Sequence, residues 1–61
     1  MPIAQIEILA GRTAADRQKL IAQVTAAIVT SMGADAASVR IVLTEAASEN
    51  GGVGGVPKLP L

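Results

Sequence analysis

The chain has 61 residues, with five basic and five acidic side chains, no cysteine, no histidine and no aromatic residue, and 51% of it is hydrophobic. A monomer this small buries only about 60% of the surface that its unfolded chain exposes, and neither disulfides nor the usual zinc ligands can reinforce it, so the apolar content points to burial between subunits. Balanced charge and missing aromatic platforms argue against nucleic acid, while the lack of a membrane-length apolar run or of a basic, apolar leader argues for a cytoplasmic chain that binds no membrane.

Pro2 stands directly behind Met1. If Met1 is removed, Pro2 carries a free secondary amine. An α-amino group titrates at about 7.7 to 8.0 in model peptides, so burial or nearby arginines would leave such an amine neutral enough to act as a general base. The ordinary alternative is that Pro2 begins a strand, where its missing N–H costs nothing.

From Pro2 to Leu9 the pattern alternates, with Ala4, Ile6 and Ile8 on one face and Ile3, Gln5, Glu7 and Leu9 on the other; this predicts a strand. Gly11 and Arg12 break it. Thr13 followed by Asp16 resembles a capping box and predicts a helix start. Leu20, Val24, Ala27, Ile28 and Met32, with Ile21 beside them, recur every three or four residues as an apolar stripe, and Gly33 is placed to end the helix in a left-handed cap. Val39, Ile41 and Leu43 then alternate with Arg40, Val42 and Thr44 in a second strand rich in β-branched residues.

A helix of about 19 residues between two strands is long enough for a right-handed crossover, so the expected fold is α/β: a short βαβ protomer with parallel strands, helix on one face. The other face carries Ile3, Leu9 and Val42 among Gln5, Glu7, Arg40 and Thr44. Parallel sheets are normally covered on both sides, so other subunits should cover this one. From Asn50 the sequence becomes rich in glycine and proline, and 50–61 is expected to be a hairpin or tail of the same single domain, 1–61, with Val56 to Leu61 lying across a neighbour. The glycines lack the Gly-Lys-Ser/Thr sequence and the βαβ order of a phosphate loop or dinucleotide site.

Pro2, Arg12 and Arg40 form a coherent chemical set. In one parallel βαβ unit Pro2 and Arg40 lie at the same end of the sheet and Arg12 at the other, so a site using all three needs neighbouring chains. Two guanidinium groups suit a substrate with two carboxylates, or with one carboxylate and a carbonyl oxygen. Taken singly, each arginine has an ordinary alternative: Arg12 as a solvated loop residue, Arg40 as a partner of Glu45 or of a neighbour's acid.

The run Met1-Pro2-Ile3-Ala4-Gln5-Ile6, then Ile8-Leu9, Gly11-Arg12, Leu20-Ile21, Ser38-Val39-Arg40, Thr44-Glu45 and Gly51-x-Val53-Gly54-Gly55 resembles the 4-oxalocrotonate tautomerase family over nearly the whole chain. That resemblance implies a βαβ protomer in a homohexamer, a trimer of dimers, with an amino-terminal proline as general base. By similarity Pro2 moves a proton on a 2-hydroxydienoate such as 2-hydroxymuconate, giving the conjugated 2-oxo acid. Arg12 corresponds to the arginine that binds the far carboxylate, and Arg40 to the one from another subunit that holds the 2-hydroxy and carboxylate end. No metal and no organic cofactor is implied.

Two positions depart from the family pattern. Gly51 aligns with a phenylalanine that walls the pocket, and Glu7 with a histidine; Glu7 reads as an assembly contact. The missing wall would desolvate Pro2 less. Two other functions therefore stay open: a non-catalytic or partner-dependent subunit of a hetero-oligomer that supplies the aromatic wall, and a superfamily hydratase or dehalogenase in which protonated Pro2 is the acid and Glu49 activates water.

Overall fold

In the computed structural model, whose described residues are 1–57, two strands of seven residues, β1 (Ile3–Leu9) and β2 (Arg40–Ala46), pair in parallel. Each residue finds its partner without a bulge, from Ile3 opposite Arg40 to Leu9 opposite Ala46. The ladder runs one bond further at both ends, where Arg40 N–H donates to the Pro2 carbonyl and Ala10 N–H to the Ala46 carbonyl, each at 2.9 Å. The alternation read from the sequence is the alternation observed, since Ala4, Ile6 and Ile8 are half-buried while Ile3, Gln5, Glu7 and Leu9 are exposed.

Helix α1 (Ala14–Met32) connects the strands. Thr13 caps it as its sequence suggested, the Thr13 hydroxyl accepting from Asp16 N–H at 3.1 Å. At the other end Gly33 is left-handed, with φ of 66°, and its N–H donates to the Val29 carbonyl. The side turned toward the sheet differs from the predicted stripe. Leu20, Val24 and Ile28 are half-buried as expected, but Arg17, Thr25 and Val29 share that side, whereas Ile21, Ala27 and Met32 are exposed. A helix of 19 residues is about 28 Å long and a strand of seven about 23 Å. The last turn therefore overhangs the sheet, and Met32 is 67% exposed.

After β2 a 3-10 turn (Ser48–Asn50) leads into a small antiparallel hairpin of β3 (Gly52–Val53) and β4 (Val56–Pro57). Gly54 and Gly55 form its two-residue loop with φ of 60° and 83°, the pair of positive values that primed hairpin turns require. The sequence allowed either a hairpin or a flexible stretch, and the hairpin forms. Of the segment expected to lie across a neighbour, residues 58–61 fall outside the described residues.

This framework has two layers, and among the described residues nothing covers the outer side of its sheet. Among the described residues only Val39, 9% exposed, counts as buried, while Ile3 and Val42 on the outer face are 62% and 48% exposed. The radius of gyration is 14.5 Å, against about 10.5 Å for a compact chain of this length. Burying one such side chain contributes about 1.5–3 kcal/mol, so covering the outer face is the largest gain the protomer has left. No helix is long and apolar enough to cross a membrane among the described residues.

Replacing Thr13 with Ala removes the cap and is expected to cost about 0.5–2 kcal/mol. Urea unfolding followed by circular dichroism, at one fixed protein concentration because assembly adds to apparent stability, measures it.

Candidate active site

The β1–β2 ladder decides where the chemistry-bearing residues stand. Pro2 is half-buried, and its carbonyl holds Arg40 N–H at 2.9 Å. The proline and the arginine thus share one end of the sheet by direct backbone pairing. The Arg40 guanidinium folds over the preceding 3-10 turn (Ala36–Ser38), donating from Nη1 to the Ala37 carbonyl at 2.8 Å and to the Val39 carbonyl at 3.3 Å. It makes no ion pair within the described residues. Glu45, the acid that the sequence offered as its intramolecular partner, lies five residues further along β2 and faces Arg17 instead, at 3.6 Å.

Arg12 stands at the opposite end, just past Leu9. Gly11 before it has φ of 119°, a backbone region that side chains rarely adopt, and the reversal it permits is what turns Arg12 toward the helix N-terminus. Arg12 lines an open cleft of about 480 Å³ together with Ile8, Leu9, Asp16, Arg17 and Leu20. Seven strand residues separate Pro2 from this turn, about 20–23 Å. No side chain spans that distance. A single chain therefore brings Pro2 and Arg40 together and leaves Arg12 apart.

Gly51 lies at the Arg12 end too. It lines a second cleft, about 630 Å³, with Glu7, Leu9, Ala46 and Asn50 among its walls. Its backbone is extended, φ −113° and ψ 152°, which any residue adopts. Nothing in the backbone demands a glycine there. Glu7 points out from the sheet opposite Thr44, on the face that the fold leaves uncovered. Glu49 is exposed within the 3-10 turn after β2, again at the end away from its own Pro2.

Sequence reasoning overlooked Arg17. Its Nη1 donates to the Arg12 carbonyl at 2.7 Å besides facing Glu45, so it joins the helix, the turn and β2. A signal was present: Arg17 occupies the position three before Leu20 on the covered side of the helix, where an apolar residue would be the ordinary choice.

A short parallel βαβ protomer with an uncovered sheet face, a proline at its leading edge and arginines at both ends defines a class of small oligomer-forming α/β proteins. The tautomerase enzyme family matches residues 2–58. A 2-hydroxymuconate tautomerase of Pseudomonas putida is 47% identical over 55 residues, 90% of this chain and 87% of that protein, and one of Comamonas testosteroni is 41% identical over 56 residues, 92% and 89% of the two. Among solved structures, the apo unfused 4-OT superposes with a TM-score of 0.83 at 39% identity, covering 92% of this chain and 97% of the other. A heterohexamer 4-oxalocrotonate tautomerase from Chloroflexus aurantiacus J-10-fl gives 0.87 at 26% identity, covering 100% and 98%. The chain belongs to the 4-oxalocrotonate tautomerase family of the tautomerases.

If copies cover the outer face, a charge in the middle of it is incompatible with assembly. Val42→Glu is expected to shift the protein to species smaller than wild type in native mass spectrometry, because an unpaired buried carboxylate costs several kcal/mol at each contact.

Proposed function

We propose that the protein is a cofactor-independent tautomerase that interconverts 2-hydroxydienoates such as 2-hydroxymuconate with their conjugated 2-oxo isomers in the cytoplasm, the proton being carried by the amine of Pro2. Family membership and the activity named for the curated relatives support the substrate class. The placement of Pro2 at the leading end of β1, a whole strand away from its own Arg12, carries the mechanistic reading, because it leaves the amine that Pro2 acquires once Met1 is removed at an open sheet end where guanidinium groups of neighbouring chains can complete the site.

In that reading the neutral amine takes the proton of the 2-hydroxyl group. The electron pair left on oxygen delocalises along the diene. The ammonium then returns the same proton to the distal carbon, which yields the conjugated 2-oxo acid and restores the base. Arg40 of another subunit holds the 2-oxygen and the adjacent carboxylate. Arg12 of a neighbouring chain binds the far carboxylate and draws electron density toward it, which stabilises the charge that develops in the transition state. Both guanidinium groups also disfavour the cationic amine. The separation of Pro2 from its own Arg12 makes the assembled oligomer the catalytic unit, and a homohexamer built as a trimer of dimers is the arrangement we assign.

A second reading is favoured by one observation. Gly51 lines its cleft without a side chain, and its extended backbone is one that any residue adopts. A second kind of chain could supply a wall there in a hetero-oligomer, as the heterohexameric Chloroflexus aurantiacus enzyme pairs different subunits. Native mass spectrometry separates the two assemblies, and activity that appears only after mixing with another chain would favour the second.

Intact-mass analysis should find Met1 absent, and such protein should ketonise 2-hydroxymuconate well above the buffer rate; turnover at the buffer rate by Met1-free protein sinks the proposal. Pro2→Ala should lower kcat about 100-fold or more. Arg12→Ala and Arg40→Ala should each lower kcat/KM roughly 10- to 150-fold, the cost of one charged hydrogen-bond partner. The base must be neutral, so kcat/KM should fall as pH drops through the pKa of the amine and level off above it; the opposite limb would mark Pro2 as an acid.

A further inference from the structure

Two arginines border the cleft beside the β1–α1 turn, and they are held differently. The Arg12 side chain is exposed and forms no hydrogen bond within the described residues. Arg17 is one-third exposed, at 33%; its Nη1 donates to the Arg12 carbonyl at 2.7 Å and faces Glu45 Oε2 in an ion pair at 3.6 Å. Glu45 lies on β2 opposite Ile8. One guanidinium therefore links the first turns of α1, the Gly11–Arg12 reversal and the sheet.

The link is suited to fixing a turn. A bond from a guanidinium to a peptide oxygen is charge-assisted, and the planar fork constrains its direction. Within the reversal, Gly11 stands at φ of 119° and brings no side chain of its own, and Arg17 is the side chain that bonds to the Arg12 carbonyl. Asp16, the other charged residue of the cleft, forms no ion pair with Arg17: the only ion pair of Arg17 among the described residues is with Glu45.

We propose that Arg17 is a positioning residue that orients Arg12 by holding its carbonyl, and through it sets the preference of the enzyme for substrates carrying a second, distal carboxylate. This rests on the reading of Arg12 as the ligand of that carboxylate. Arg17 acts through Arg12 and contacts no reacting atom. Displacing a substrate-binding group by a fraction of an ångström is enough to change turnover severalfold, and only the substrate with a distal carboxylate feels it.

The experiment compares kcat/KM for 2-hydroxymuconate, which has two carboxylates, with that for phenylenolpyruvate, which has one. Arg17→Met is expected to lower the ratio of the two about 3- to 10-fold, through KM for the dicarboxylate, and Arg17→Lys to recover part of it. Glu45→Gln, which leaves Arg17 in place but removes its anchor, should shift the ratio in the same direction and answers the question if Arg17→Met does not assemble. In an Arg12→Ala background Arg17→Met should leave the ratio where Arg12→Ala put it. The proposal is overturned if assembled Arg17→Met protein keeps the wild-type ratio, or if it lowers the ratio further when Arg12 is already absent. An Arg12→Ala variant with an unchanged ratio removes the Arg12 reading itself, and the positioning role with it; an Arg12→Ala variant with a lowered ratio beside a silent Arg17→Met removes the positioning role alone.

Discussion

The parallel ladder between β1 and β2 is the constraint on which everything else in this protein depends. Its register sets Ile3 opposite Arg40 and extends to the bond between Arg40 N–H and the Pro2 carbonyl. A slip of one residue would turn every side chain of a strand to the other face, and it would also separate the proline from the arginine. The apolar inner face resists such a slip, since Ala4, Ile6 and Ile8 would exchange places with Gln5 and Glu7 beneath the helix. Packing and the placement of Pro2 beside Arg40 thus depend on the same register.

The ladder also sets a limit. Parallel strands both start at one end of the sheet and both finish at the other, so the segments leading into β1 and β2 meet at the first end and the segments leaving them meet at the second. Pro2 and Arg40 belong to the first pair of segments, Arg12 and Gly51 to the second. Bringing the two ends together takes a second chain. The protomer is built for that, with an outer face holding Ile3 and Val42 half or more exposed and a buried core reduced to Val39 among the described residues. In the proposed reading, stability and site completion are therefore coupled through assembly.

Departures from expectation cluster where geometry, rather than residue type, decides. Met32 fits the apolar stripe by spacing and is exposed because the helix outruns the sheet. Arg17 fits no apolar pattern and is half-buried because its position lies on the covered side, where its charge finds a peptide oxygen and Glu45. Gly51 is unlike the other loop glycines, Gly11, Gly54 and Gly55, whose positive φ values explain their presence. Its extended backbone is one that any residue adopts, so no local conformation accounts for it.

Read alone, the sequence determined the element order, the strand faces, the Thr13 cap, the Gly33 stop and the opposite placement of Arg12 relative to Pro2 and Arg40, because these come from local periodicity and from the connectivity of a parallel pair. Its motif run also identified the family. The tertiary structure alone decided which helix residues meet the sheet, that Glu45 pairs with Arg17 rather than Arg40, and that the Arg12 turn is tied from the helix. Those outcomes depend on distances between segments remote in sequence, and such distances are set by packing rather than by any local pattern of residues.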